Sequence, residues 1–391
     1  MPVAVKPLFR PEALHKKLAV FQVPPKAAAA RDNLVRWAEF LATPAAETTK
    51  ETELLPKFLG DVFRDVLGYT GPADGVNTYT LKEQPTVEVD GKFADAALGR
   101  FPLNDGPPRY LVAVEGKGPT DPLDRPYKNR KKSAVDQALG YAVNFPCDWY
   151  LVTNLREIRL YHKGHDQFTY ERFLTSALAA DGAAFRRFVF LLGAVRVAPA
   201  DGPGHLDELL KASRESGKKL TDELYAVYAD LRRQAFETLR AANPDRPPEA
   251  VLTATQKILD RVLFICFCED RELLPADSIR HAFRHRDEYE DRPIWSNFKT
   301  LFRWIDRGNA ARQIEPYNGG LFAKNEFIDS LVVPDAVCRG FDTLAAYEYG
   351  KPTAEDTDKP PVDVEILGHI FEQSISDLEE LHRAIQASGG R

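Results

Sequence analysis

TVEVDGKFADAALGR (residues 86–100), PRYLVAVEGKGP (108–119) and SAVDQALGYAVNFPCDWYLVTN (133–154) are the segments on which the reading of this chain turns. Asp95 ends a short apolar segment, and Glu115 with Lys117 ends a second one further on. Tyr110 to Val114 is a nearly continuous run of β-formers, the pattern of a strand buried on both faces. The charged triplet stands at its C-terminal edge, where open α/β sheets place their ligands. A helix-like run follows, with Gln137 and Tyr141 at i and i+4 and hence on one face.

Two carboxylates brought together in a cleft can hold Mg²⁺, a hard cation that prefers oxygen ligands and keeps several waters. Such a metal lowers the pKa of a bound water toward a usable nucleophile, which suits hydrolysis of a phosphodiester. Asp95 and Glu115 are the expected ligands. Glu115 and Lys117 lie two apart on an extended segment, so both side chains leave the same face of the sheet. The ammonium can then reach the attacking water or the scissile phosphate. Gly116 between them lets the backbone come close, and its carbonyl is a further candidate ligand. The plainer alternative is a set of solvated charges at a strand end.

The surrounding sequence extends the pattern. NTYTLK and TVEVD read as strands, with a hairpin signal at Asp90-Gly91, and KFADAALG completes a meander. DWYLVTN and REIRLYHKG form a second hairpin around Asn154-Leu155-Arg156, whose first strand is the more central. Thr153 and Asn154 close that strand and are candidates to approach a substrate. Upstream, AAAARDNLVRWAEFLATP reads as a helix ended by Pro44. A second helix from about Thr49 carries an apolar stripe through Val66, capped by Thr48 or Thr49 and closed by Gly68. Between Lys117 and the Gln137 helix, Lys128, Arg130, Lys131 and Lys132 gather with Tyr127 into a basic cluster, which could contact a phosphate backbone without reading sequence.

A helix, DGAAFRRFVFLLGAV, ends this region near Val195, and APADGPGH is a Pro- and Gly-rich linker. Beyond it the strand signal disappears. LTDELYAVYADLRRQAFETLR places Leu220, Leu224, Tyr228, Leu231, Ala235 and Leu239 on one helical face. TATQKILDRVLFICFCEDRELLP is a more buried helix whose end carries Glu269, Asp270 and Arg271, read as a salt-bridged corner. SNFKTLFRWIDRG is another helix, Asn318-Gly319-Gly320 imposes a tight bend, and VDVEILGHIFEQSISDLEELHRAI closes the chain as a helix pair or one broken helix.

Composition sets the outer bounds. The chain has 391 residues, enough for two domains each with its own core. A hydrophobic fraction of 44% with 28% charged is that of an ordinary globular protein. No apolar run approaches a membrane span and the N-terminus lacks a signal-peptide core, so a cytoplasmic location is expected. Cys147, Cys266, Cys268 and Cys338 are too few and scattered for a disulfide framework. The net charge of −6 does not exclude a nucleic-acid enzyme whose positive charge is concentrated on one face.

Asp95, Glu115-Gly116-Lys117 and the Gln137-x-x-x-Tyr141 helix resemble the PD-(D/E)XK nuclease fold, in the version found at the N-terminus of type IIG and type I-like restriction-modification enzymes. The resemblance implies a restriction-endonuclease-like α/β/α domain with a central mixed sheet, in which Asp95 and Glu115 bind the metal and Lys117 assists the nucleophile. Gln137 and Tyr141 then support the DNA or the site, and an acid on the preceding helix joins them, Glu51 matching better than Glu53. Ala94 stands where the motif usually has Pro.

CFCEDRELLP, YNGGLF and EILGHIFEQS resemble the helical connector that joins the nuclease to an adenine-specific DNA methyltransferase in the same enzymes. The expected division is a helical extension over 1–47, a nuclease domain over 48–197 and a connector over 198–391. The glycine-rich cofactor site and Asn-Pro-Pro-Tyr motif of the methyltransferase are missing, so a fragment or one half of a split system is expected. The expected partners are double-stranded DNA and a methyltransferase domain or subunit, and cutting both strands with one site per chain calls for a homodimer. The competing expectation is a non-catalytic scaffold that keeps the nuclease fold only to dock DNA or another subunit.

Overall fold

The computed structural model describes residues 5–85, 93–104, 106–128, 130–317, 319–347, 349, 362 and 364–388. The TVEVD strand, the Asp90-Gly91 turn and Asn318 lie outside the described residues. The chain forms two compact units, 1–216 and 217–391, dividing within the helix His205–Ala242.

The first unit is built on a six-stranded mixed sheet in sequence order: β1 (Thr78–Glu83), β2 (Ala96–Pro102), β3 (Arg109–Gly116), β4 (Trp149–Thr153), β5 (Glu157–His162) and β6 (Glu171–Leu174). β1, β2 and β3 form an antiparallel meander, as do β4, β5 and β6. β3 and β4 pair in parallel at the centre, joined by the helix Ala134–Asn144. That helix starts on a capping box: Ser133 Oγ accepts from the Asp136 amide at 3.0 Å and the Asp136 carboxylate accepts from the Ser133 amide at 3.2 Å.

Period-2 alternation gives the sheet two buried faces. Leu98, Val112, Val114, Leu151, Ile158 and Leu160 point into a large core shared with Leu34, Trp37, Phe58, Phe63 and Phe188 of the surrounding helices. Ala113, Tyr150, Val152 and Tyr161 point the other way, onto Ala138 and Ala142 of the helix Ala134–Asn144. The sheet is therefore covered by helices on both faces. Leu8, Phe9, Leu14, Leu34 and Trp37 share the first core, so residues in the expected N-terminal extension pack with the sheet.

The helix carrying the expected apolar stripe runs Glu51–Phe58 and continues in wider π-type turns over Leu59–Val66. Its closure at Gly68 is as expected, with φ +81°. Its start is not: Lys50 is the N-cap and makes no side-chain cap bond, while the hydroxyls of Thr48 and Thr49 donate back to the Ala45 carbonyl at 3.2 and 2.8 Å. β6 was not expected; the helix Pro11–Val20 lies within the expected helical extension, although no helix was placed at those residues.

The second unit is helical, with Pro248–Asp270, Trp295–Arg307 and Asp335–Leu344 around one core. Every residue of the stripe from Leu220 to Leu239 is buried there. The closing segment is one helix, Val364–Ser388, rather than a pair. Glu269, Asp270 and Arg271 do not form a corner among themselves. Glu269 accepts from the Ile279 amide at 2.9 Å and Asp270 from the Tyr349 amide at 2.6 Å, while Arg271 donates to the Tyr349 carbonyl at 3.2 Å. The amides at that helix start and loop lack partners of their own kind and are satisfied by these carboxylates instead. Among the described residues, no helix is long and apolar enough to cross a membrane.

Candidate active site

β2 and β3 run antiparallel, and their register sets Ala96 opposite Val114, which places Asp95 beside Glu115 at one end of the sheet. Asp95 Oδ2 accepts from the Gly116 amide at 2.7 Å, fixing the first carboxylate against the backbone that carries the second. The Asp95 and Glu115 carboxyls lie within hydrogen-bonding reach of each other. Lys117 lies just beyond β3, its amide bonded to the Thr153 carbonyl at 2.7 Å, so the parallel ladder extends by one residue. Its ammonium forms a salt bridge with Glu115. Glu115 is 3% exposed and Lys117 6%.

The electrostatics follow from that crowding. Burial, then the charge of Asp95, push the Glu115 carboxyl up to about 8, against the opposing pull of Lys117. Two carboxylates close together and out of water disfavour a second negative charge unless a cation joins them. The Tyr141 hydroxyl is pushed up to about 12, chiefly by burial and then by Glu115 and Asp95, which places it beside the same pair.

Glu51 completes the edge. Its carboxylate accepts from the Gly118 amide at 3.0 Å, and its pKa is raised by burial first, with Lys117 lowering it and Asp95 raising it. What delivers it there is the packing of Leu55, one turn later on the same face, onto Gly116. A Cβ on Gly116 would lie 2.4 Å from Leu55 Cδ1, so only glycine lets the helix sit this close. Glu53, two residues on, is exposed.

The remaining candidates lie differently. Gln137 turns its amide back onto the Lys132 and Ser133 carbonyls, both at 3.2 Å. Asn154 is spent on the β4–β5 turn, donating to the Asp121 carbonyl at 3.0 Å and accepting from the Glu157 amide at 3.0 Å. Thr153 is bonded within the same turn, to the Glu157 carbonyl at 2.8 Å. Lys131 and Lys132 are exposed, and Lys128 lies over the Tyr127 ring at 5.0 Å. Arg130 bonds Asp121 at 2.5 Å. Asp121 itself was not singled out in the sequence, although GPTD follows the charged triplet directly.

The donors suit a hard divalent cation: two fixed, adjacent carboxylates, Glu115 buried and Asp95 half-buried, with one ammonium to offset them. Among the described residues, no group of three or more His, Cys, Asp or Glu is arranged to hold a metal. Any ion here therefore rests on the Asp95–Glu115 pair, with backbone oxygen or water completing its shell.

No protein-family model matches the chain, and no solved structure matches it. Over 144 residues it is 26% identical to a protein of Methanocaldococcus jannaschii described as "Putative type II restriction enzyme and methyltransferase". The match covers 32% of this chain and 12% of that protein. The similarity points at a distance toward restriction-modification proteins.

Proposed function

We propose that this chain is the DNA endonuclease module of a restriction-modification or related phage-defence enzyme, with a PD-(D/E)XK-type site that uses Mg²⁺. The observation that carries the reading is the convergence of Asp95, Glu115 and Lys117 at one sheet edge, with Glu51 and Tyr141 beside them. The distant similarity to a protein described as a restriction enzyme supports the same class.

Asp95 and Glu115 would hold the ion through their carboxylates, and the Gly116 amide keeps Asp95 in place for it. When bound, the ion supplies a polarised water and offsets charge on the phosphate. Lys117, shielded from solvent, brings an ammonium to the nucleophile or the scissile phosphate and keeps part of the negative field balanced before substrate arrives. Tyr141 presents a hydroxyl that stays protonated and can donate to a phosphate oxygen. Lys128, Lys131 and Lys132 offer exposed positive charge to the DNA backbone. A methyltransferase in cis or as a subunit, a homodimer on DNA and a cytoplasmic setting belong to this reading.

The test is nicking of supercoiled plasmid in Mg²⁺ by the wild type and by Lys117→Ala. Activity in the wild type that falls by roughly two orders of magnitude or more in the variant supports the reading. Equal activity in both, or none in either, would count against hydrolysis at this site.

A further inference from the structure

Asp121 is a buried acid, 7% exposed, held at both ends of its own backbone. Its amide donates to the Gly118 carbonyl at 3.0 Å and its carbonyl accepts from Asn154 Nδ2 at 3.0 Å. The carboxylate is thus a fixed point, and two cations of the basic loop close on it. Arg130 Nη2 lies at 2.5 Å from Oδ2 and Lys128 Nζ at 3.6 Å from Oδ1. Arg130 Nε also donates to the Tyr127 carbonyl at 3.4 Å, so the guanidinium is held at two points.

The path from this anchor to the candidate site is short. Gly118, which receives the Asp121 amide, gives its own amide to Glu51. Asp121 is near enough for its charge to bear on Glu51. Arg130 is only 26% exposed, whereas Lys128 is 69% exposed and held to Asp121 by a longer single contact. A guanidinium has five N–H donors, and these contacts use Nη2 and Nε.

We propose that Asp121 is a positioning residue that holds the Arg130 guanidinium on the Gly118–Glu51 side of the candidate site, where it takes a phosphate of the DNA backbone near the one being cut. A cation already fixed in place gives up less freedom on binding than a lysine on an open loop. Arg also matches the phosphate oxygens with paired donors. This rests on the nuclease reading for its substrate, double-stranded DNA.

The decisive experiment measures binding of a linear random-sequence duplex in EDTA, where no cleavage occurs, as a function of salt. Wild type, Asp121→Asn, Arg130→Gln, the double variant and Lys132→Gln are compared, with melting temperatures as a check of folding. General electrostatics makes Asp121→Asn bind DNA more tightly, because a negative charge is removed. The proposal requires the reverse: affinity falls roughly threefold or more and the slope of log K against log[salt] shrinks by about one, as for Arg130→Gln. The double variant should then be no weaker than Arg130→Gln alone. Tighter binding by Asp121→Asn, or additive losses, overturns it.

If Asp121→Asn does not fold, Arg130→Gln against Lys132→Gln decides. A larger loss at Arg130 supports a fixed contact, and equal losses overturn it. The nuclease reading fails separately. A wild type that binds DNA but never nicks plasmid in Mg²⁺ sinks hydrolysis while leaving the Arg130 result readable. Lys117-dependent nicking alongside tighter binding by Asp121→Asn keeps the nuclease and discards the anchor.

Discussion

Leu55 lies against the bare backbone of Gly116, so close that a Cβ there would stand 2.4 Å from Leu55 Cδ1 and 2.5 Å from Cδ2. This contact joins the helix Glu51–Phe58 to the end of β3 and thereby brings Glu51 to the Gly118 amide. Gly116→Ala should cost about 1–3 kcal/mol in stability, as overpacking does. It should also lower plasmid nicking, because the helix and Glu51 are displaced together. Leu55→Ala made in the same chain should recover part of both. Urea unfolding and nicking rates on the two single variants and the double one would show it; additive losses would mean that the two residues do not press on one another.

Glu51 and Glu53 separate by position on the helix. Glu51→Gln keeps an acceptor for the Gly118 amide but removes the charge beside Lys117 and Asp95. Its melting temperature should stay within a few degrees of the wild type while turnover falls about tenfold or more. Glu53→Gln, on the exposed side, should change neither. The reverse order would move the site acid to Glu53.

His205 gives the first unit an acid-sensitive point. Its Nε2 lies 2.9 Å from the Leu191 carbonyl and its Nδ1 accepts from Arg196 Nε at 3.3 Å, with the ring stacked on Phe190. Both contacts suit the neutral imidazole. Burial, then the positive charges of Arg196 and Lys17, hold its pKa down at about 3. The folded state therefore binds fewer protons than the unfolded state, whose histidine titrates at about 6.5. This contribution is present above about pH 6.5 and lost as pH falls through the window toward about 3. His205→Gln, which can keep both hydrogen bonds, should lose less stability than the wild type between pH 7 and pH 4, by at most about 1.4 kcal/mol per pH unit. Parallel denaturation curves at each pH would show no such role.

The helical unit has its own test. Gln256 Nε2 lies 2.6 Å from the Tyr228 hydroxyl, 2.9 Å from Asp260 Oδ1 and 3.1 Å from Ser374 Oγ, while its Oε1 accepts from Arg232 Nη1 at 3.1 Å. One amide thus ties three helices, while its partners keep second bonds of their own: Tyr228 to Asp260, Arg232 to Asp377 and Ser374 to the Phe371 carbonyl. Gln256→Leu should destabilise the unit by about 1–3 kcal/mol, as leaving buried polar groups short of a partner does. Plasmid nicking below the unit's melting temperature should be unaffected. A loss under about 1 kcal/mol would show that the network is dispensable.

The central strands were legible because burial on both faces leaves a plain mark: YLVAV and WYLVT are nearly continuous apolar runs rich in β-formers, and IRLYH alternates. The triplet at the end of β3 was legible for the same reason. β6 was not, because Glu171 and Arg172 interrupt a four-residue segment. Glu171 is buried by partners distant in sequence, accepting from the Phe9 amide at 3.0 Å and pairing with Arg187. Local pattern separates Glu51 from Glu53 only weakly, since what decides is Leu55 on Gly116. Asn154 looked like a strand-end donor, yet tertiary closure of the turn takes both ends of its amide. Asp121 escaped notice because an acid in a loop rich in Pro and Lys reads as solvated, and only its burial by Arg130 and Asn154 makes it distinctive. YNGGLF is distinctive in sequence for a packing reason: Arg261 donates to the Leu321 and Ala323 carbonyls at 2.8 and 2.9 Å, and Phe322 is buried.

The most direct measurement is a crystal of this chain grown with Mn²⁺, a heavier oxygen-seeking stand-in for Mg²⁺, and read by anomalous scattering. The account requires a peak within coordination distance of both the Asp95 and the Glu115 carboxylates, lost in Asp95→Asn. An empty Asp95–Glu115 edge at saturating Mn²⁺, with both carboxyls still hydrogen-bonded to each other, would contradict it.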